Sequence, residues 1–360
     1  MKVIISLFIL STVLRLIYWL FFFRNVGKIK PSNRQKTQSI GVSVIVCAKD
    51  AYVSLNRLIP LLLDQNYGTY EIIIVDDFSK DETKSLKDKY GHDIKWVEPQ
   101  KDIPGKKHAL TCGIHACSYS IVCLTDADCM PGSKWINSMA KHMEGSDVVL
   151  GFSPIVKTKG LLNMFSRFEN LMIAIQYFGY ATRGLTYMGV GRNLMYKKNI
   201  FNRSNGFESH KSLLSGDDDL FVQGLPESAK VNLNLEKESF VHTNGPQGIK
   251  DYLTQKVRHT STSIYYKQVH KLLLGFWAFN HICWVGLLIT GLIYININTV
   301  IVALSFWLVA TYFHYLSFIR LEHKDLIMKF PLLDILLGLN YLIVGILLVY
   351  RSWNKSIKWS

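Results

Sequence analysis

Residues 121–136 read IVCLTDADCMPGSKWI. The run 121–124 has the unalternating apolar character of a strand buried on both faces. It stops at Thr125. Asp126 and Asp128 follow, one residue apart, ahead of Pro131 and Gly132. Residues two apart in extended chain point to the same side, so this spacing predicts that both carboxylates face one ligand. In a chain of net charge +14, an acidic pair at a strand end calls for a cation or a hydrogen-bonding ligand between the carboxylates.

The pattern extends to both sides of that stretch. Apolar runs at 42–47, 71–75, 94–97, 121–124 and 147–150 alternate with helical stretches at 55–63, 82–90, 106–116 and 134–142. Such alternation predicts a mostly parallel sheet covered on both faces. Ligands of these sheets bind at the carboxyl ends of the strands. Three of those ends are acidic. The first leads to Asp50, the second ends EIIIVDD at Asp76 and Asp77, and the fourth ends at Asp126 and Asp128. Hard divalent cations prefer carboxylate and phosphate oxygens, and Mg²⁺ takes few protein carboxylates besides substrate phosphates. A cation there would neutralise a diphosphate leaving group. The chain has neither GxxxxGK[ST] nor GxGxxG after its first strand, so a diphosphate is not held by either of those loops. Asp77-Phe78-Ser79 also reads as a helix N-cap, with Asp81 and Glu82 in the first turn.

Both ends of the 360-residue chain are apolar. Hydrophobic residues make up 49% and the mean hydropathy is +0.15, high for a chain without membrane segments. The run 3–23 contains one charge, Arg15, and reaches across the roughly 30 Å of a bilayer's hydrocarbon core. FFFRNVGKIK follows it in place of a small-residue cleavage site, which predicts an uncleaved anchor. Runs at 272–294, 299–319 and 330–350 predict three further spans. Asp334, His281 and His314 interrupt them, and such groups face a protein neighbour or a water-filled cleft. Arg24, Lys28, Lys30, Arg34 and Lys36 flank the first span, and Lys256, Arg258, Lys267 and Lys271 precede the second. Both flanks belong to the middle region, which is therefore expected in the cytoplasm. The tail RSWNKSIKWS breaks that rule if all four runs span, so the last run is either re-entrant or an exception. The six cysteines form no CxxC pair, which argues against zinc. The positive charge suits anionic headgroups and an anionic substrate. No basic–aromatic groove points to nucleic acid.

Seven short pieces now fall in one order: SVIVCAKDA, EIIIVDDFSKDET, GKKHAL, TDADC, GVGRNLMYKK, SGDDDL and QKVRH. Over about 43–263 the chain resembles the family 2 glycosyltransferases. The resemblance implies a GT-A fold, an α/β nucleotide-diphospho-sugar transferase with a Rossmann-like mixed sheet, here with transmembrane helices added. It places Ala48, Asp50, Asp76 and Asp77 at the nucleobase and ribose, with one of the last two on the base. It puts Lys106 or Lys107 near the phosphates. It reads Asp126-Ala127-Asp128 as the DxD motif, with Asp128 on Mg²⁺ or Mn²⁺ and Asp126 on ribose or metal. It makes Asp218, with Asp217 as second choice, the base that takes the acceptor hydroxyl's proton. Arg192 or Asn193 would touch the sugar, and Gln255 and Arg258 match a QxxRW motif whose Arg meets the diphosphate. His259 stands where that motif has Trp.

The implied function is inverting transfer of a hexosyl or N-acetylhexosaminyl group from a nucleotide sugar, UDP more than GDP, to a lipid or lipid-linked acceptor at the cytoplasmic face of the inner membrane. A processive polysaccharide synthase needs more spans around a polar path. A non-catalytic scaffold has no need of these carboxylates. The expected divisions are an anchor at 1–24, a basic linker at 25–38, a catalytic domain at 39–247, an interfacial helix with the QxxR motif at 248–271, three spans at 272–350 and a basic tail at 351–360.

Overall fold

β1 (Val42–Ala48) is the sequence VSVIVCA, almost wholly buried, because β-branched side chains fill both faces of a covered strand. In the computed structural model, residues 2–31, 40–99, 105–213 and 215–353 are described. Linker residues 32–38, with Arg34 and Lys36, and tail residues 354–360 lie outside them. Strands and helices are numbered along the whole chain. The described residues divide into two units.

One unit comprises Ile29–Val156 and Thr186–Gly245. Its strands are β1, β2 (Tyr70–Asp76), β3 (Lys95–Val97), β4 (Ile121–Asp126), β5 (Cys129–Pro131), β6 (Val148–Leu150), β7 (Leu194–Lys197), β8 (Val231–Leu233) and β9 (Val241–Thr243). Seven form one mixed sheet in the order β3-β2-β1-β4-β7-β6-β8. β3, β2, β1 and β4 are mutually parallel, β7 runs antiparallel to β4 and β6, and β8 is parallel to β6. β5 and β9 pair separately. Helices α2 (Tyr52–Leu63), α3 (Ser85–Tyr90), α4 (Lys106–Ala116), α5 (Trp135–Met143), α7 (Lys198–Arg203) and α8 (Asp219–Gln223) connect the strands. Leu55, Leu58, Ile59 and Leu62 of α2 and Trp135, Ile136, Met139 and Met143 of α5 join β1 and β2 side chains in one apolar cluster. Each fully buried Leu, Ile or Val contributes about 1.5–3 kcal/mol. The strand register sets the site: Ala48 pairs with Asp76 and Cys47 with Asp126. The acidic ends of β2 and β4 therefore flank the end of β1.

The other unit gathers residues up to Lys28, Lys157–Leu185 and those from Pro246 onward. It contains α1 (Lys2–Tyr18), extended by a π turn at Trp19–Phe23, α6 (Leu161–Ala181), α9 (Ile249–Ser261), α10 (Gln268–Ile293), α11 (Ile297–Arg320) and α12 (Phe330–Trp353). Among the described residues, four stretches are long and apolar enough to cross a membrane: Lys2–Lys28, Gln268–Ile293, Ile297–Arg320 and Lys324–Arg351. Their polar residues face one another. Arg15 Nη2 meets Asp334 Oδ1 at 2.7 Å, Trp307 Nε1 donates to Asp334 Oδ2 at 3.1 Å, and the Trp284 and Phe306 rings lie 4.6 Å from the guanidinium. α12 is one unbroken helix of 24 residues, so the last apolar run does not turn back on itself. Residues Lys157–Leu185 fall inside the range expected for the catalytic domain, yet group with these helices. On α6, Arg167 forms a double hydrogen bond with Asp325 at 2.8 and 2.9 Å, and Glu169 pairs with Lys256 of α9 at 2.7 Å.

Candidate active site

The strand ends supply the first carboxylates. Just after β1 the chain enters the left-handed region at Asp50, φ 47°. Asp50 Oδ1 accepts from the backbone N–H of Lys80 at 2.6 Å and of Asp81 at 3.3 Å, tying the first strand end to the loop after β2. The Ala48 carbonyl accepts from the Asp77 N–H at 2.7 Å. Asp76 and Asp77, left equivalent by the sequence, differ in their hydrogen bonds. Both Asp77 oxygens accept from the N–H of Gly105, at 2.9 and 3.1 Å. Asp76 Oδ1 accepts from the Ser79 N–H at 3.1 Å, while its buried Oδ2 has no hydrogen bond and lies 4.0 Å from the Lys84 ammonium. The expected N-cap at Asp77 falls instead at Asp81, whose side chain accepts from the Thr83 N–H.

β4 runs on through Thr125 to Asp126, and the chain then turns at Ala127 and Asp128 before β5. The extended geometry that would place both carboxylates on one side is therefore broken between them. Asp126 Oδ1 is 2.8 Å from Lys106 Nζ. Asp128 is exposed, with the Cys129 thiol 3.8 Å from its Oδ1. No group of three or more His, Cys, Asp or Glu side chains among the described residues is arranged to hold a metal. Two hard carboxylates suit Mg²⁺ or Mn²⁺ in the form where substrate phosphates complete the coordination, not an all-protein cage.

Lys106 and Lys107 open α4 after Gly105, whose φ of 143° favours glycine. The two lysines diverge. Lys106 Nζ also meets Asp217 Oδ2 at 2.9 Å, so one ammonium joins the fourth strand end to the SGDDDL segment. Lys107 is buried, and its Nζ donates to the carbonyls of His210, Leu213 and Ser215 at 2.8, 2.6 and 2.6 Å.

Gly216, at φ 98°, turns the chain into Asp217-Asp218-Asp219. A Cβ there would sit 2.6 Å from Leu220 Cδ1. Asp218 caps α8: its Oδ1 accepts from the Asp219 N–H at 2.8 Å and its Oδ2 from the Gly191 N–H at 3.0 Å. Burial, with Asp217 and Asp219 adding like charge, pushes the Asp218 carboxyl up to about 7. Burial also opposes ionisation of Asp217, but Lys106 outweighs it and holds that carboxyl below its ordinary range. For Lys106, burial is likewise outweighed, by Asp126 and Asp217, and the ammonium is held charged well above its usual range. The pair thus has one fixed carboxylate and one that exchanges its proton near neutrality, the division of labour a general base requires.

Asn193, expected at the sugar, belongs to the core. It is fully buried, accepts from Trp135 Nε1 at 3.0 Å, and donates both amide hydrogens, to the carbonyls of Phe152 at 2.7 Å and Ser239 at 2.8 Å. No donor remains on its side chain for a sugar. Arg192 beside it keeps a buried Nε without a partner. Gln255 and Arg258 lie on α9, in the unit that holds the apolar helices. Arg258 is exposed, with its Nη2 3.3 Å from His259 Nε2. Sequence reasoning missed Gly105 as the partner of Asp77, since a backbone N–H carries no motif.

The model of the family described as Glycosyl transferase family 2 matches residues 43–204. A search of the curated proteins finds no match. Among solved structures, the mannosyltransferase PcManGT from Pyrobaculum calidifontis, in complex with GDP-Man and Mn²⁺, is similar at 16% identity and a TM-score of 0.54, over 92% of this chain and 99% of that one. TarS 1–349 from S. aureus, in complex with UDP-GlcNAc, aligns over 81% of this chain and 91% of that one at 14% identity and a TM-score of 0.46.

Proposed function

We propose that this chain, whose residues 43–204 match the model of glycosyl transferase family 2, moves one hexosyl or N-acetylhexosaminyl group, with inversion, from a nucleoside diphosphate sugar to a lipid or lipid-linked hydroxyl at the cytoplasmic face of a cell's inner membrane. The observation that carries this reading is the convergence of four groups: Lys106 bridges Asp126 and Asp217, and the next carboxylate, Asp218, is aimed by the Gly191 N–H and titrates near neutrality. In the proposed step the acceptor oxygen attacks the anomeric carbon. The bond from that carbon to the diphosphate breaks, and the nucleoside diphosphate departs with the electron pair. The acceptor proton passes to the Asp218 carboxylate.

Asp76, with one oxygen that accepts no hydrogen bond, is the candidate for the N–H of a nucleobase, and Asp77 holds the Gly105 N–H that precedes α4. Asp50 and Ala48 shape the wall beside it. Arg192 is the candidate for the sugar. Gln255 and Arg258 keep an assignment to the diphosphate that rests on motif resemblance alone. Asp128, with Asp126, would hold Mg²⁺ or Mn²⁺, which supplies charge neutralisation to the departing diphosphate. GDP-Man and Mn²⁺ in the similar mannosyltransferase support a nucleotide sugar and a divalent ion. They also place GDP-sugars beside UDP-sugars in any donor panel. Four apolar helices in the same chain support an acceptor that resides in the membrane.

The test is transfer by purified protein with Mn²⁺ or Mg²⁺, radiolabelled UDP- and GDP-sugars and a total lipid extract. A labelled chloroform-soluble product supports the proposal. Label in a water-soluble polymer instead would identify a polysaccharide synthase, and no binding of either nucleotide would identify a scaffold.

A further inference from the structure

The proposed base follows a segment whose described residues hold little regular structure: a single turn at Glu208–His210, then turns and bends at 211–213 and 215. Something must hold that segment if Asp218 is to meet an acceptor hydroxyl in one geometry. Lys107 does so from a distance of more than a hundred residues in sequence. An ammonium has three N–H donors and no acceptor, and here all three are taken by backbone carbonyls, those of His210, Leu213 and Ser215. The third immediately precedes the left-handed Gly216 and the carboxylates. Burying a charge on neutral carbonyls is a costly way to fill space, and a methionine would occupy the same volume without that cost. The same helical turn carries Lys106, which holds the side chain of Asp217. The first turn of α4 therefore grips the acidic segment twice, by its backbone through Lys107 and by its side chain through Lys106.

We infer that Lys107 is a positioning residue for the base: it fixes the aim of Asp218 by clamping the carbonyls of the preceding loop, and it takes no part in holding donor phosphates. This inference deepens the proposed function and rests on it. With every donor on Nζ engaged, removal of Lys107 should leave nucleotide affinity alone and slow the chemical step. Misplacing a reacting group by about 1 Å can cost on the order of a hundredfold in rate, and that is the scale of loss expected in kcat.

The experiment compares Lys107→Met, Lys107→Arg and Asp218→Asn in the full chain, with calorimetric binding of the nucleoside diphosphate, the melting temperature and steady-state transfer measured for each. Lys107→Met is expected to bind nucleotide within about twofold of wild type while kcat falls about a hundredfold. Lys107→Arg, which keeps the charge and supplies N–H donors, should recover to within about tenfold of wild type. Unchanged kcat in Lys107→Met beside an inactive Asp218→Asn would overturn the inference and leave the base assignment intact. An active Asp218→Asn would instead remove the assignment on which the inference rests. If Lys107→Met does not fold, Lys107→Arg decides: lowered kcat at unchanged nucleotide affinity supports the clamp, and parallel loss of both overturns it.

Discussion

At pH 7 the Asp218 carboxyl stands near its own midpoint, because burial and the charges of Asp217 and Asp219 oppose its ionisation. Only the ionised form accepts a proton, so transfer is expected to rise as pH increases through about 7 and to level off above it. The Lys106 ammonium opposes this rise and favours the ionised form of Asp218. Lys106→Met should therefore move the rising limb of the kcat–pH profile to higher pH, and a limb that stays in place would separate Lys106 from the base. The carboxylates themselves were legible in the sequence, because acids at strand ends and before a helix have few other reasons to cluster. The partners of the two lysines were not legible. Each reaches a segment about twenty to more than a hundred residues away, and a flexible side chain's target depends on how that segment packs. Asn193 misled for the same reason: a polar residue in a glycine-rich stretch reads as a ligand contact until Trp135, Phe152 and Ser239 are seen to use its donors and acceptor.

Elements with strong local signals came out close to expectation. α4 spans Lys106–Ala116 as its pattern predicted, while the stretch 82–90 divides into a 3₁₀ turn and the short α3. β4 is two residues longer than its apolar run, because Thr125 and Asp126 continue the ladder against Val46 and Cys47. The turn into α8 depends on Gly216. Gly216→Ala puts a Cβ against Leu220 at a positive φ and should cost about 1–3 kcal/mol, read as a lowered melting temperature with a larger loss of transfer. Between α1 and α12, the Arg15–Asp334 pair joins the first apolar helix to the last. Removing one partner of a buried pair costs about 3–5 kcal/mol, whereas replacing both with apolar residues can be close to neutral. Arg15→Leu should thus lower the melting temperature in detergent, and Arg15→Leu with Asp334→Leu should recover most of it. No recovery would mean that the guanidinium's stacking on Trp284 and Phe306 matters more than the ion pair.

For the whole molecule, composition and four long apolar runs made the four helices apolar enough to cross a membrane legible, and the ordered motifs made the GT-A sheet legible. The affiliation of α6 was not. Its apolar residues suit a soluble core equally well, and its grouping with the apolar helices emerges from distant partners: Asp325, Lys256 and Asn340 for its polar groups, and the Phe318 and Phe330 rings for Phe168. Chelation of divalent ions is expected to abolish transfer, with Mn²⁺ or Mg²⁺ restoring it, since the carboxylates of Asp126 and Asp128 repel the diphosphate unless a cation lies between them. The central claim is that this acidic centre performs proton abstraction on an acceptor hydroxyl. Its most direct measurement is transfer by Asp218→Asn at saturating donor, with donor affinity determined on the same preparation. The expected result is unchanged affinity and a rate at least about a hundredfold lower; near-normal transfer with donor fully bound would contradict it.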